Sequence, residues 1–127
     1  MKFLLDANFL LIPGRYKVRI FDQLQSFGLP ELYTIRPVVD ELEYLATRPG
    51  AVKRAAKLAL QIIALEGITV LPMKGDADDL LYRHARRGYV VCTQDRALQQ
   101  KLARNKLPYI HLRQRRLVEA RGSEAQS

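Results

Sequence analysis

Five short apolar runs alternate with helical patterns along the chain, and no other feature restricts the fold as much. The runs are 2–5, 32–35, 68–71, 89–92 and 108–112. Several of them, Tyr89 to Cys92 most clearly, have no polar face. A strand with one wet face alternates apolar and polar residues, whereas a strand covered on both faces does not. Between the runs, Val18, Phe21, Leu24 and Phe27 recur at helical spacing after a Pro13-Gly14 break. Pro37 opens a helix through Val38, Leu42 and Leu45, and Ala51 to Leu65 forms an alanine- and leucine-rich helix. Asp76 leads into Leu80, Leu81 and Ala85, and Asp95 into Leu98 and Leu102. The order predicts an α/β domain of three layers, with a central parallel sheet of about five strands between helices. With 127 residues, 48% of them hydrophobic, the chain suits a single domain. That domain is expected over residues 1–121, with 122–127 as a flexible tail.

Composition removes several classes. One cysteine cannot form an internal disulfide, and with two histidines it leaves too few ligands for a zinc cluster. No run reaches the roughly 18 consecutive apolar residues of a membrane helix. The amino-terminal Met-Lys-Phe-Leu-Leu meets Asp6 and Asn8 too early for a secretory segment. The expectation is a cytoplasmic protein with no membrane association. The formal charge of +8, from 21 Lys and Arg against 13 Asp and Glu, favours a polyanionic partner.

The carboxylates do not follow that average. In an open parallel sheet, ligands bind beyond the carboxyl ends of the strands. Asp6 follows the first run directly, and Glu41 lies in the helix after the second. Asp76, Asp78 and Asp79 open the helix after the third, and Asp95 follows the fourth by three residues. Singly, each has a bland role: Asp95, Asp76 or Asp78 as a helix cap, Glu41 as an exposed helix acid, Asp6 as a turn residue. Together they bring carboxylates from four successive connections to one end of the sheet. Such a group is unstable without a counter-charge, and a hard divalent cation, Mg²⁺ or Mn²⁺, is the natural one.

The pieces Leu5-Asp6-Ala7-Asn8-Phe9-Leu10, Pro37-Val38-Val39-Asp40-Glu41-Leu42, Ala77-Asp78-Asp79-Leu80-Leu81 and Val91-Cys92-Thr93-Gln94-Asp95-Arg96-Ala97-Leu98 resemble, in order and spacing, the PIN-domain nucleases. The resemblance implies a metal-dependent endoribonuclease that uses one or two Mg²⁺ or Mn²⁺ ions to hydrolyse RNA phosphodiesters, in ribosomal RNA processing or RNA quality control. It places the acidic quartet at Asp6, Glu41, Asp78 and Asp95, with Asp79 as an alternative or additional metal ligand. It also gives Asn8 and Thr93 supporting roles. Leu107 to Arg113 and Glu41 to Leu45 look most like the ribosomal-RNA-processing branch and its stand-alone archaeal relatives. VapC-type toxins share the quartet and similar length, so an antitoxin or a ribosome-assembly partner are alternative expectations. A non-catalytic RNA-binding or ribosome-assembly module is the rival of a different class; such a module is expected to lose members of the quartet.

Between Arg83 and Arg121 stand 11 basic residues and only two acids, Asp95 and Glu119. Arg83, Arg86, Arg87, Arg96, Arg113, Arg115 and Arg116 are the expected RNA contacts, although any one alone is an ordinary solvated side chain. Tyr89 and Tyr109 sit in strands and are expected in the core rather than stacked on bases. His84 and His111 have no neighbouring nucleophile, and Cys92 reads as a small buried side chain. The apolar residues of Ala51 to Leu65 exceed one stripe, and a homodimer through that helix is expected.

Overall fold

A computed structural model describes residues 1–120; Arg121 and the expected tail lie outside them. The five apolar runs become β1 (Lys2–Leu5), β2 (Glu31–Ile35), β3 (Thr69–Leu71), β4 (Val90–Cys92) and β5 (Tyr109–Arg113). They pair in parallel in the order β3-β2-β1-β4-β5. The central strand β1 has Phe3, Leu4 and Leu5 wholly buried, as a strand covered on both faces must.

A sixth strand, β6 (Arg116–Ala120), extends the sheet beyond the five expected, antiparallel to β5. The two-residue turn before it holds Gln114 and Arg115 at φ 51° and 66°. Left-handed turns of this kind normally announce themselves by Asn or Gly, so the hairpin had no local signature. Contacts from outside hold the turn instead. The Gln23 side chain donates to the Arg115 carbonyl (3.0 Å) and accepts from the Leu117 N–H (2.7 Å), and the Arg115 guanidinium donates to the Tyr16 carbonyl (3.1 Å).

The helices are α1 (Ala7–Leu10), α2 (Ile12–Tyr16), α3 (Ile20–Leu24), α4 (Arg36–Leu45), α5 (Ala51–Leu65), α6 (Ala77–Ala85) and α7 (Arg96–Arg104). Two expectations change here. The Pro13-Gly14 break lies inside α2, where proline is tolerated because first-turn N–H groups have no helical partner. The helix expected from Val18 shortens to α3 plus a 3₁₀ turn over Gln25–Phe27. Gly14 has a packing reason: a Cβ there would lie 2.6 Å from the Ala55 Cα. The small residues Ala55, Ala56 and Ala59 of α5 are buried, so part of that helix's apolar excess is used within the molecule. Leu58 and Leu65 stay exposed.

Right-handed crossovers put α1 to α5 on one face of the sheet and α6 and α7 on the other. The contacts agree, since α2 and α4 both touch α5 while α6 touches α7. No helix among the described residues is long and apolar enough to cross a membrane. The chain leaves β1 towards β2 and β4 towards β5, in opposite directions across the sheet. The carboxyl ends of β1 and β4 therefore flank the topological switch point, where an open α/β sheet forms its crevice.

Candidate active site

Asp6 stands at the switch point. Its N–H donates to the Cys92 carbonyl (3.0 Å), continuing the β1–β4 pairing by one residue. Its carboxylate caps α1, with Oδ1 accepting from the Ala7 N–H at 2.7 Å, and Oδ2 accepts from the Thr93 hydroxyl at 2.7 Å. The side chain is buried, and desolvation pushes its pKa from 3.8 up to about 6. The Thr93 and Ala7 hydrogen bonds oppose the rise, and the charges of Asp78 and Glu41 add to it.

Thr93 is itself fully buried and ties the two sides of the crevice together. Its single hydroxyl hydrogen goes to Asp6, while its oxygen accepts from the Asp95 N–H at 3.1 Å. The Asn8 Oδ1 accepts from the Gln94 N–H at 3.0 Å. The Gln94 amide accepts from the Leu112 N–H (2.6 Å) and donates to the Leu112 carbonyl (3.2 Å), and the Gln99 amide donates to the Thr93 carbonyl (2.7 Å). The loop from β4 to α7 is thereby tied to β5 through Gln94, to α1 through Asn8 and to α7 through Gln99. Asp95 caps α7 through the Leu98 N–H at 3.0 Å. Gln94 and Gln99 were missed by sequence reasoning, because their partners are backbone groups with no signature of their own.

Glu41 becomes distinct through its neighbours. Arg36 binds Asp40 and Glu43, both at 3.0 Å, which leaves Glu41, among the described residues, as the member of that acidic group without an ion pair. Burial raises its pKa and the charge of Asp78 raises it further. Asp78 opens α6 one residue after Ala77. Desolvation raises its pKa first, followed by the charges of Asp95, Asp76 and Asp79, with Lys101 acting against them. Asp76 is the cap of α6, accepting from the Asp79 N–H at 3.0 Å. Asp79 lies 4.0 Å from the Lys101 ammonium, which also rests over the Tyr82 ring at 4.3 Å. Of the adjacent pair, Asp78 shares its field with Asp6, Glu41 and Asp95, and Asp79 is turned to Lys101.

The structure thus brings Asp6, Glu41, Asp78 and Asp95 into one electrostatic neighbourhood. Among the described residues, no three acidic, histidine or cysteine side chains are drawn into a closed cation cage. The donor set nevertheless suits a hard cation. All its donors are oxygens, Asp78 raises the pKa of Asp6 and of Glu41, Asp95 raises that of Asp78, and among the described residues Lys101 is the one cation acting on Asp78.

The basic residues divide. Arg96 is the first residue of α7, beside Asp95. Arg113, Arg115 and Arg116 sit at the carboxyl end of β5, on the edge that holds the acids. Helix α6 starts at that edge and runs away from it for about 13 Å, so Arg83, Arg86 and Arg87 stand towards the opposite edge. Both His84 and Cys92 are buried structural groups. The His84 Nδ1 donates to the Leu80 carbonyl at 2.7 Å, and burial pushes the Cys92 thiol well up.

A family model described as the PIN-like domain matches residues 3–115. Among solved structures, one described as the PIN domain endonuclease Utp24 aligns with a TM-score of 0.78 at 23% sequence identity, over 94% of this chain and 91% of that one. No curated protein matches the chain.

Proposed function

The chain belongs to the PIN-like domain family, and on that footing we propose that it is a Mg²⁺- or Mn²⁺-dependent endoribonuclease that hydrolyses RNA phosphodiesters, acting in ribosomal RNA processing. The observation that carries the reading is the convergence of four carboxylates at the switch point, one of them raised to about 6, beside a hydrogen-bonded loop built to hold it. Strongly perturbed acids in a crevice are a mark of functional sites. The ribosomal branch rather than the toxin branch rests on Leu107 to Arg113 and Glu41 to Leu45, which look most like it.

Asp6, Asp78 and Asp95 would hold the ion or ions, with Glu41 completing the site and Asp79 close by. When bound, the cation supplies Lewis-acid stabilisation of the charge that builds on the phosphoryl oxygens. The chain's own groups set the geometry. Thr93 fixes the rotation of the Asp6 carboxylate and, through the Asp95 N–H, the position of the second loop. Asn8 fixes the backbone of Gln94. Asp6 accepts two strong hydrogen bonds in its ionised form, so it is presented charged above about pH 6 despite its burial. Arg96 and the arginines at the end of β5 lie at the same edge and supply attraction for the phosphates that does not depend on sequence.

The test is cleavage of a labelled RNA panel with Mn²⁺, with Mg²⁺ and with EDTA, by the native chain and by Asp6→Asn. Metal-dependent internal cleavage that EDTA abolishes and Asp6→Asn removes is the expected result. Cleavage indifferent to EDTA would overturn the mechanism, and binding without cleavage would establish the non-catalytic alternative.

A further inference from the structure

The β5–β6 hairpin has one face turned to the protein and one face open. Leu117 is buried against α3 and the core. Side chains alternate along a strand, so Val118 and Arg116 point to the other side. The register pairs His111 with Val118 and Arg113 with Arg116. That second face therefore carries Tyr109, His111 and Arg113 on β5 beside Val118 and Arg116 on β6. Its outer part remains accessible: Val118 is 38% exposed, both arginines are exposed and His111 is half-buried, while Tyr109 packs against the core. The Tyr109 and His111 rings lie 5.5 Å apart.

Two features of this face call for a ligand. Directly opposed like charges on antiparallel strands repel, and among the described residues neither Arg113 nor Arg116 has a carboxylate partner. Two aromatic rings stand in line behind them on the same strand. Burial, with the charge of Arg113, lowers the pKa of His111, so its ring is neutral at neutral pH and offers a π face. Aromatic rings behind paired cations are the elements that hold a single-stranded nucleic acid, the rings taking unstacked bases and the cations taking phosphates. The arginine end lies at the carboxyl edge of the sheet, and Gln94 joins Leu112 of this same strand to the loop that carries Asp95.

We propose that the open face of the β5–β6 hairpin is a platform for single-stranded RNA, with Arg113 and Arg116 gripping a phosphate and His111, its ring backed by Tyr109, stacking on a base of the strand that leads to the acids. The proposal rests on the ribonuclease reading and names how the substrate is held outside the acidic crevice. It selects unpaired RNA, because bases inside a duplex offer no free face to the rings.

Binding of a short fluorescent oligouridylate, measured by anisotropy in EDTA, reads the platform without cleavage. The pair Arg113→Gln with Arg116→Gln is expected to weaken binding about ten-fold. It should also lower the slope of log affinity against log salt by about 0.7, the share of one lost phosphate contact. His111→Ala is expected to weaken binding about 5- to 150-fold with little change in that slope, as loss of one stacked base does. The pair Lys53→Gln with Lys57→Gln, which removes equal charge from exposed positions on α5, is expected to stay within two-fold. Unchanged binding in the arginine and histidine variants, equal loss in the α5 pair, or absence of binding by the native chain would each overturn the platform. The nuclease reading is judged separately by Mn²⁺-dependent cleavage.

Discussion

Asp6 lies between two donors, the Ala7 N–H and the Thr93 hydroxyl, and still its pKa is raised to about 6, so burial and neighbouring acids outweigh both bonds. A folded-state pKa above the unfolded 3.8 means that the native chain binds more protons than the unfolded chain across that window. Its contribution to stability therefore falls as pH rises from about 4 to about 6 and stays lost above. The displacement corresponds to about 3 kcal/mol. Asp6→Asn removes the buried charge and keeps the contacts, because the amide oxygen can accept from Ala7 while its NH₂ donates to Thr93, whose hydrogen turns to Asn8. Thermal unfolding in EDTA at pH 7.5 is expected to show this variant melting at least about 3 °C higher than the native chain, although cleavage is lost. Thr93→Val strips the donor from Asp6 and the acceptor from the Asp95 N–H, so a loss of about 1–3 kcal/mol is expected in urea unfolding. At this scale the sequence was informative where a residue follows a strand: Asp6 and Asp95 are placed by counting from apolar runs, while Asn8 and Thr93 came from the family resemblance. Gln94 was not legible, since its partner is the backbone of Leu112.

Elements were legible to the degree that they carry periodicity. The five parallel strands and the long helices α4 to α7 follow from apolar spacing and from glycine and proline breaks. Strand β6 and helix α2 do not, for opposite reasons. The turn before β6 uses residues that disfavour its left-handed backbone, and α2 contains residues that usually end a helix. Each departure makes an expectation. A non-glycine residue in the left-handed region costs roughly 1–2 kcal/mol, so Gln114→Gly is expected to stabilise the chain by about 0.5–1 kcal/mol after glycine's greater entropy loss. An unchanged urea midpoint would show that Gln23 and Tyr16 have already relieved the turn. Gly14→Ala forces a Cβ against the Ala55 backbone and is expected to cost about 1–3 kcal/mol, again read from the urea midpoint.

For the whole molecule, the charge of +8 resolves into an acidic crevice with basic residues both beside it and across the sheet from it. The crevice loses stability by being charged and dry, so a cation that enters it returns that stability. Mn²⁺ is expected to raise the melting temperature more at pH 7.5 than at pH 5, where protons compete for Asp6. A shift of equal size at both pH values would separate ion binding from these carboxylates. The order of the chain adds a consequence in time. Asp6 is made well before Asp95, and the loop carrying Asp95 is fastened only when Leu112 meets Gln94. The crevice therefore stays unfinished until Leu112 has been made and has folded onto Gln94.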